Sequence, residues 1–372
     1  MLQANNIQAF LELVRAGLWE KDAQLLPLGD VDFDEVYQFA SEQSVIGLIT
    51  AGFDHLIDVK APQELVLQCI GESLQMEQSN TAMNLFIESL VSKMREADIY
   101  TLLVKGQGIA QCYERPMWRS CGDVDFFLNG SNYEKAKEYL VPMASSIEPE
   151  GIYKKHFEMT IDPWVVELHG SMRCGLSAKM DKGIDDVQKA VFYGGNVRSW
   201  TDGRTQVFLP SPDNDAIFIF THYLKHFYTG GLGLRQICDW CRLLWTYRES
   251  LNRKMLESRI RKMELMSEWK AFGAFAVVYL GMPSEAMPLY SPETKWKRKA
   301  DKISAFIIKV GNMGHNRDMS YYDKYPYLLR KIFSMGRRFG DLIRHAQIFP
   351  LDSFRFFPSI LFNGLRSAAR GE

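Results

Sequence analysis

The chain has 372 residues, of which 47% are hydrophobic, 24% charged and 13% aromatic. This composition is that of an ordinary globular protein, and it excludes collagen-like, disordered and coiled-coil classes. The 44 basic and 45 acidic residues leave a net charge of -1, so a charged partner must be bound by a local patch.

The N-terminus and the cysteines predict a cytoplasmic protein. Residues 1–4 lack the basic region and apolar stretch of a signal peptide. The longest nearly uncharged apolar segment, Ala271 to Pro283, is too short to span a bilayer, so we expect no transmembrane segment. The six cysteines show no disulfide pattern, and we interpret them, including Cys238 and Cys241, as buried hydrophobic residues rather than as zinc or redox sites. A reducing compartment fits this use of cysteine.

Residues 1–97 are predicted to form a helical N-terminal region. Apolar residues recur at three- and four-residue intervals from Asp34 to Ile49. A longer helix is predicted from Pro62 to about Ala97, because proline suits the first turn of a helix. No residue here suggests chemistry, so we interpret the region as a packing module.

From residue 98 to residue 210 the pattern changes to mixed strands and helices. Short apolar runs predict strands at 99–104, 124–128, 156–161, 164–169 and 206–209, with helices at 109–113 and 131–143. These elements are enough for one small α+β domain.

From residue 211 to residue 372 the pattern is helical again. Ser211 as N-cap and Pro212 at the first helical position predict a helix to about Phe227. Glycines at 230–233 interrupt it, and a second helix is predicted at 234–246. Further helical segments are predicted at roughly 251–280, 296–312, 326–345 and 353–368.

Two aspartates begin one of the predicted strands, in Gly122-Asp123-Val124-Asp125. Alternate residues of a strand point to the same face, so Asp123 and Asp125 project together. Two carboxylates on one face repel each other and need a cation or a proton. Mg²⁺ prefers carboxylate and phosphate oxygens and is the natural partner. A surface strand end with two solvated aspartates would show the same pattern, and the motif alone favours that alternative.

A glycine turn lies 17 residues before Asp123, in Lys105-Gly106-Gln107-Gly108. Glycine lets the backbone approach a ligand, and the N-terminus of a following helix favours an anion such as phosphate. Lys105 adds a point charge suited to a triphosphate, and Arg119 can act in the same way. The alternative is a strand–turn–helix junction that needs glycine only for its bend.

A third carboxylate lies within the predicted strand 164–169. Glu167 and His169 share one face of this strand, opposite its apolar face. An acid in an apolar strand is costly unless it is paired or binds a metal. Three carboxylates can hold two divalent ions about 3.5–4 Å apart for in-line phosphoryl displacement. The third carboxylate can also act as a base toward the attacking hydroxyl.

In combination these motifs resemble the nucleotidyltransferase (polymerase β-like) fold, in which a strand–glycine–helix unit is followed by paired aspartates and a later acid. The similarity to the bacterial family of uncharacterised nucleotidyltransferases covers most of residues 33 to 245. It is carried by Leu103–Gly106, Arg119–Asp125, Glu167–His169, His222, His226 and Leu234–Trp240. One position departs from the superfamily signature, because Gln107 follows Gly106 where serine or glycine is common.

The resemblance implies an α+β fold with a nucleotidyltransferase-like mixed-sheet core (98–210) flanked by helical regions (1–97 and 211–372). It implies transfer of a nucleotidyl group from an NTP to an acceptor, with release of pyrophosphate. Asp123, Asp125 and Glu167 would be the catalytic residues and the ligands of two Mg²⁺ or Mn²⁺ ions. Nucleotide binding is predicted for Lys105, Gly106, Gln107, Arg119 and Gly122. The acceptor is left open among a small molecule, a sugar, a protein and RNA, and so is the oligomeric state.

A further set of polar residues is predicted to position the substrate: His169, His222, Lys225, His226, Arg235 and Asp239. His222 and His226 are spaced like zinc ligands, but the glutamate of HExxH is missing, so we predict that they face the cleft. Arg235 and Asp239 are four residues apart, which fits an intrahelical ion pair as well as a substrate contact. For His169, metal binding and a hydrogen bond beside Glu167 both remain open.

Two other hypotheses remain. The first is a catalytically inactive relative of this fold that binds a nucleotide or a partner protein. The second is an interaction protein that binds RNA or a membrane through its C-terminal helices, since nine Lys/Arg and three Asp/Glu follow from Lys324 onward, interleaved with aromatics. We predict that these aromatics pack inward with solvated charges outside.

Overall fold

Two helical regions flank an α+β core in the computed structural model, which describes residues 2–150, 155–194, 197–312 and 325–369. The N-terminal region contains α1 (Leu2–Trp19), α2 (Phe33–Glu42), α3 (Ile46–Phe53) and α4 (Gln63–Glu96). The sequence predicts Pro62 within the first turn of α4. In the structure Pro62 is the N-cap, one position before that turn. The helical character of this region is confirmed.

The helix predicted from Asp34 to Ile49 is in fact two helices, α2 and α3. Ser44 has a φ of 56°, and a left-handed residue of this kind commonly ends a helix. The Val45 N–H donates to the Ala40 carbonyl at 2.9 Å, and the Ser44 N–H donates to the Ser41 carbonyl at 3.0 Å. This pair of bonds is the Schellman motif. Because the apolar spacing continues across the break, periodicity does not reveal it.

The α+β core alternates short strands with helices. It comprises β1 (Leu102–Val104), α5 (Gly106–Ala110), β2 (Asp123–Phe127), α6 (Gly130–Leu140), β3 (Ser146–Ile147), β4 (His156–Ile161), β5 (Trp164–His169), α7 (Ala178–Tyr193), β6 (Val197–Asp202) and β7 (Thr205–Pro210). The predicted strands 156–161 and 164–169 are confirmed at those residues. The helix predicted at 109–113 lies three residues earlier, and β3, α7 and β6 have no counterpart in the prediction.

One five-stranded mixed sheet forms the centre of this core. Its strand order is β1-β2-β5-β4-β3, and β6 and β7 form a separate hairpin. β2 and β5 are parallel, whereas the other neighbouring pairs are antiparallel. Asp125 lies opposite Glu167, and His156 lies opposite His169. The predicted fold class, α+β with a mixed sheet between helical regions, is confirmed.

The two faces of β2 differ in polarity. Val124, Phe126 and Leu128 are buried in one hydrophobic cluster with apolar side chains of α4, as the alternation predicts. Asp123 and Asp125 alternate with them and therefore point to the other face. The packing of α4 thus fixes the direction in which the aspartates project.

The C-terminal region packs on the N-terminal helices. It contains α8 (Pro212–Thr229), α9 (Leu234–Thr246), α10 (Arg253–Lys262), α11 (Met266–Leu280), α12 (Thr294–Val310), α13 (Tyr327–Ala346) and α14 (Pro350–Ala369). The segment predicted at 251–280 is split into α10 and α11, where Glu264 has a φ of 60°. The indole of Trp19 donates to the Leu280 carbonyl at 2.5 Å, and both helical regions contribute to one hydrophobic core. The division into three regions stays a prediction.

The aromatic residues of α13 and α14 are not all packed inward. Phe356 is fully buried, but Phe333, Phe339 and Phe354 are exposed by 44%, 47% and 65%. The prediction of inward-packed aromatics is therefore wrong for these three. Phe333 contacts Tyr325 and Phe339 contacts Phe357, with ring centroids 5.1 and 5.2 Å apart, but these contacts leave about half of each side chain exposed. Lys324, where the predicted basic tail begins, lies outside the described residues.

The cysteines are free thiols, and all but Cys121 are buried, which confirms their interpretation as hydrophobic residues. Burial raises the pKa of Cys238 well above its usual value, so this thiol stays protonated. In the part of the chain that the structure describes, no helix is both long and apolar enough to cross a membrane.

Candidate active site

Three carboxylates converge where β2 and β5 run side by side. Asp125 and Glu167 are register partners, and Asp123 precedes Asp125 by two residues, so the three side chains share one face of the sheet. Each offers an oxygen that lies within 4.8 Å of those of the other two. Such a donor set fits a hard divalent cation. The structure thus brings these three predicted residues together.

The turn between β1 and α5 places a lysine among the carboxylates. Lys105 has a φ of 56°, which is unfavourable for a residue with a Cβ. Its Nζ lies 2.5 Å from Oδ1 of Asp125. Burial alone would lower the pKa of Lys105, but the charges of Asp125 and Glu167 raise it above its usual value. The ammonium group therefore stays protonated and balances part of the negative charge.

Gly106 lets this turn pack against the start of β2. Its φ is 38°, and a Cβ at this position would lie 3.1 Å from Sγ of Cys121 and 3.5 Å from the carbonyl oxygen of Asp123. Contacts this close leave little room for a side chain. The predicted turn glycine is thus required by the packing of the site.

The carboxylates have pKa shifts of opposite sign. Burial, and next the charge of Asp125, raise the pKa of Asp123. Burial would also raise the pKa of Glu167, but hydrogen bonds with His156 and His169 hold it well below its usual range. Glu167 is therefore ionised at neutral pH, and a nearby cation would favour the ionised form of Asp123.

Two histidines approach these carboxylates from β4 and β5. Nε2 of His169 lies 2.6 Å from Oδ1 of Asp125, and Nε2 of His156 lies 3.0 Å from Oε2 of Glu167. His169 is predicted from the sequence, whereas His156 is not. The sequence does contain a signal for His156. Only residues 162 and 163 separate the two predicted strands, and so short a turn sets the hairpin register that places His156 opposite His169.

A cavity of about 410 Å³ opens in front of these groups, with α8 and α9 on its opposite side. This volume is in the range of small-molecule sites. Twelve residues predicted from the sequence line it: Lys105, Gly106, Arg119, Asp123, Asp125, Glu167, His169, His222, Lys225, His226, Arg235 and Asp239. The structure therefore gathers most of the predicted site around one space.

Gln107 and Gly122 are not among the described residues that line this cavity. The side-chain amide of Gln107 donates to Oδ1 of Asn80 on α4 at 2.7 Å. Asn80 in turn donates to the carbonyls of Met117 and Arg119. At the position where the superfamily has serine or glycine, the glutamine thus joins α5 to α4 and to the loop before β2.

Arg119 and Asp239 form a buried ion pair between the loop before β2 and α9. Nε and Nη2 of Arg119 donate to the two carboxylate oxygens at 2.8 and 2.7 Å. The Tyr113 hydroxyl donates to Oδ1 of Asp239 at 2.8 Å. Of the two alternatives left open for Arg235 and Asp239, the intrahelical ion pair is not found, because Asp239 pairs with Arg119 instead. Arg119 contributes to the wall of the cavity with its guanidinium already paired.

Arg235 and its neighbour Gln236 line the cavity from α9. Nη1 of Arg235 donates to the Ser120 carbonyl at 2.8 Å. Nε of Arg235 and Oε1 of Gln236 are buried without a hydrogen-bond partner. Gln236 lies within the segment Leu234–Trp240 that carries the family resemblance, but it is not among the predicted site residues.

His222 and His226 face the cavity from α8, as predicted. Their Nε2 atoms lie 3.0 Å apart. Burial, and next the charge of Lys105, lower the pKa of His222 well below its usual value of 6.5, so its imidazole is neutral at pH 7. Neither histidine belongs to a group of three or more metal-ligand atoms among the described residues.

The mixed sheet, the paired carboxylates on β2 and the acid on β5 together define a nucleotidyltransferase-like protein. Residues 29–280 match the model of the uncharacterised nucleotidyltransferase family, and the chain belongs to this family. No curated protein and no solved structure matches the chain. The resemblance found in the sequence is confirmed at the level of the family. Family membership indicates nucleotidyl transfer, and the carboxylate cluster is a candidate metal site.

Proposed function

We propose that this protein is a metal-dependent nucleotidyltransferase that moves a nucleotidyl group from an NTP to an acceptor and releases pyrophosphate. The observation that carries the proposal is the convergence of Asp123, Asp125 and Glu167 on the wall of the 410 Å³ cavity. Membership of the family supports the reaction class. The acceptor remains open among a small molecule, a sugar, a protein side chain and RNA.

The three carboxylates are suited to hold Mg²⁺ or Mn²⁺, because their oxygens are close together and hard cations prefer oxygen ligands. When two such ions are bound, they neutralise phosphate charge and activate an attacking hydroxyl. Glu167 acts in this proposal as a ligand rather than as a proton acceptor. Its pKa is held well below the usual range, and a carboxylate of low pKa is a weak base.

Positive and polar groups around the cavity would bind the NTP. Lys105 and the backbone of Gly106 are proposed to contact the phosphates, and Lys105 is already charged beside the carboxylates. Arg235 and Lys225 line the cavity on its helical side. Phosphoryl transfer depends mainly on positioning and on charge neutralisation, which is what these groups supply.

The test uses the full chain with each α-labelled NTP and Mg²⁺ or Mn²⁺, with or without added cell extract as a source of acceptors. Asp123→Asn and Asp125→Asn should each reduce pyrophosphate release by on the order of 100-fold or more, because charge stabilisation at the reacting phosphate is lost. Asp22→Asn, a change at an exposed aspartate, is the matched control. Unchanged release in either site variant would exclude the proposed role of these carboxylates.

A second candidate is a relative that binds an NTP without transferring it. It is favoured by one observation, namely that Asp125 is already held by Lys105 at 2.5 Å and by His169 at 2.6 Å. This hypothesis predicts metal-dependent NTP binding, measured by equilibrium dialysis, with no pyrophosphate release and no label in any fraction of the extract.

A further inference from the structure

A second group of metal-ligand atoms lies beside the carboxylates, on β4 and β5. Nε2 of His156 and Nε2 of His169 lie 3.0 and 3.2 Å from the same oxygen, Oε2 of Glu167. All three ligand atoms lie within 4.8 Å of one another. When metal–ligand bonds are about 2.0–2.2 Å long, neighbouring donor atoms lie at separations close to these 3.0 and 3.2 Å. The group therefore has nearly the spacing of a metal site.

The strand register holds this group in place. His156 and His169 are directly opposed in the antiparallel β4–β5 pair, and Glu167 lies two residues before His169 on the same face. The turn between the strands contains only residues 162 and 163, and a short turn fixes the register of a hairpin. The register thus places the three residues side by side, and their rotamers bring the ligand atoms together.

Hydrogen bonds alone do not satisfy all of these ring nitrogens and carboxylate oxygens. A ring nitrogen donates one hydrogen bond, yet Nε2 of His169 faces both Oδ1 of Asp125 at 2.6 Å and Oε2 of Glu167 at 3.2 Å. In addition, Glu158 is the register partner of Glu167, and like charges directly opposite each other across two strands are destabilising. A cation among these atoms would remove both problems.

We infer that His156, Glu167 and His169 bind a first-row transition-metal ion such as Zn²⁺, Fe²⁺ or Co²⁺. The site shares Glu167 with the oxygen-only set completed by Asp123 and Asp125. The inference rests on the proposed function, because it names the class of ion that binds on the Glu167 side of the proposed active site. Binding of the ion does not itself require turnover.

The two imidazoles determine which ions are preferred. Mg²⁺ takes oxygen ligands and gives up its water reluctantly, whereas imidazole suits zinc, copper, iron and nickel. Three protein ligands leave a coordination position for water or substrate, as in catalytic rather than closed structural zinc sites. The His156 side chain is 37% exposed and borders the cavity, so this position is accessible from it.

The test is a Co²⁺ titration of the chelator-treated full chain, followed by visible absorption, which reports the ligands of the ion. We expect Co²⁺ to bind and to resist displacement by excess Mg²⁺. His156→Gln should weaken Co²⁺ binding by at least about 10-fold and change the spectrum. His55→Gln is the matched control, because His55 also contacts a carboxylate, Glu20, at 2.7 Å, but does not line the cavity. Thermal unfolding checks the fold of each variant, and His169→Gln is a second variant at the site.

The outcomes separate this inference from the proposed function. Co²⁺ affinity that is unchanged in both site variants, or displacement of Co²⁺ by Mg²⁺, would overturn the inference and leave the nucleotidyltransferase proposal standing. Loss of Co²⁺ in the variants, together with no transfer by the wild type, would support the metal site and count against the reaction. Asp123→Asn should lose transfer but retain the Co²⁺ spectrum, since Asp123 is not a ligand of this ion.

Discussion

Single residues at the turn before α5 adopt backbone conformations that bring charge to the carboxylates. Lys105 and Gly106 have φ values of 56° and 38°, so two consecutive residues are left-handed. For a lysine this conformation costs about 1–3 kcal/mol, and it places the ammonium beside Asp125. The next position needs a residue without a Cβ. Strain is thus concentrated next to the group that the proposal assigns to phosphate binding.

We predict that Gly106→Ala lowers the free energy of unfolding by about 1–3 kcal/mol, because the Cβ would lie 3.1 Å from Sγ of Cys121 and the φ is unfavourable. NTP affinity should fall as well, since relief of the contact displaces Lys105. Urea unfolding measures the first effect and equilibrium dialysis the second. In the control Gly230→Ala, the new Cβ meets no atom within 4 Å. Equal destabilisation in both variants would contradict the argument.

Elements that are distant in the sequence form the cavity because a buried charge pair ties them together. Arg119 lies in the loop before β2 and Asp239 lies on α9, and their side chains are only 6% and 8% exposed. Burial would lower the pKa of Arg119, but Asp239 raises it well above its usual value, so Arg119 stays charged. The pair holds α9, which also carries Arg235, against the strand with the aspartates.

Arg119→Met should lower the free energy of unfolding by about 3–5 kcal/mol, because Asp239 would be left buried with its charge unpaired. The double variant Arg119→Met/Asp239→Leu should recover part of this loss, since neither charge remains. Urea unfolding of the wild type, both single variants and the double variant gives the coupling energy. If the two single losses simply add in the double variant, the pair does not have the proposed role.

For the molecule as a whole, α8, α11 and α14 meet around a buried acid. Glu268 on α11 is fully buried, and the Tyr228 hydroxyl on α8 donates to its Oε1 at 3.2 Å. Burial, and next the charge of Asp352 on α14, raise the pKa of Glu268 from 4.5 to about 8. The carboxyl group is therefore protonated in the folded protein at neutral pH.

This shift predicts a pH-dependent stability. Below about pH 4.5 Glu268 is protonated in both states, whereas between about pH 4.5 and 8 only the unfolded chain ionises. The free energy of unfolding should therefore fall as the pH rises through this range, by up to about 1.4 kcal/mol per pH unit from this one group. Glu268→Gln should lack this contribution and be the more stable protein at pH 8.

Urea unfolding of both proteins from pH 5 to pH 8 measures the effect as a difference between two curves, so that other titrating groups cancel. Glu249→Gln is the control, because its side chain is 91% exposed. A constant difference between Glu268→Gln and the wild type over this range would show that Glu268 does not titrate as described.

Local patterns were sufficient for much of the fold and for the acidic part of the site. The alternation of Asp123 and Asp125 with apolar residues predicts the two faces of β2, and the strand with Glu167 is found at the predicted residues. Such features depend on consecutive residues. Ser44 and Glu264 show the limit of this approach, because a single left-handed residue ends a helix without interrupting the apolar period.

Which charges and ligands meet was decided only by the packing of distant elements. Asp239 pairs with Arg119, 120 residues away, rather than with Arg235 on its own helix. Gln107 turns to Asn80, away from the cavity. His156 joins the carboxylates because β4 pairs with β5 in one register. Hydrophobic periodicity is a property of the chain itself, whereas ion pairs and ligand sets exist only once separate elements lie side by side.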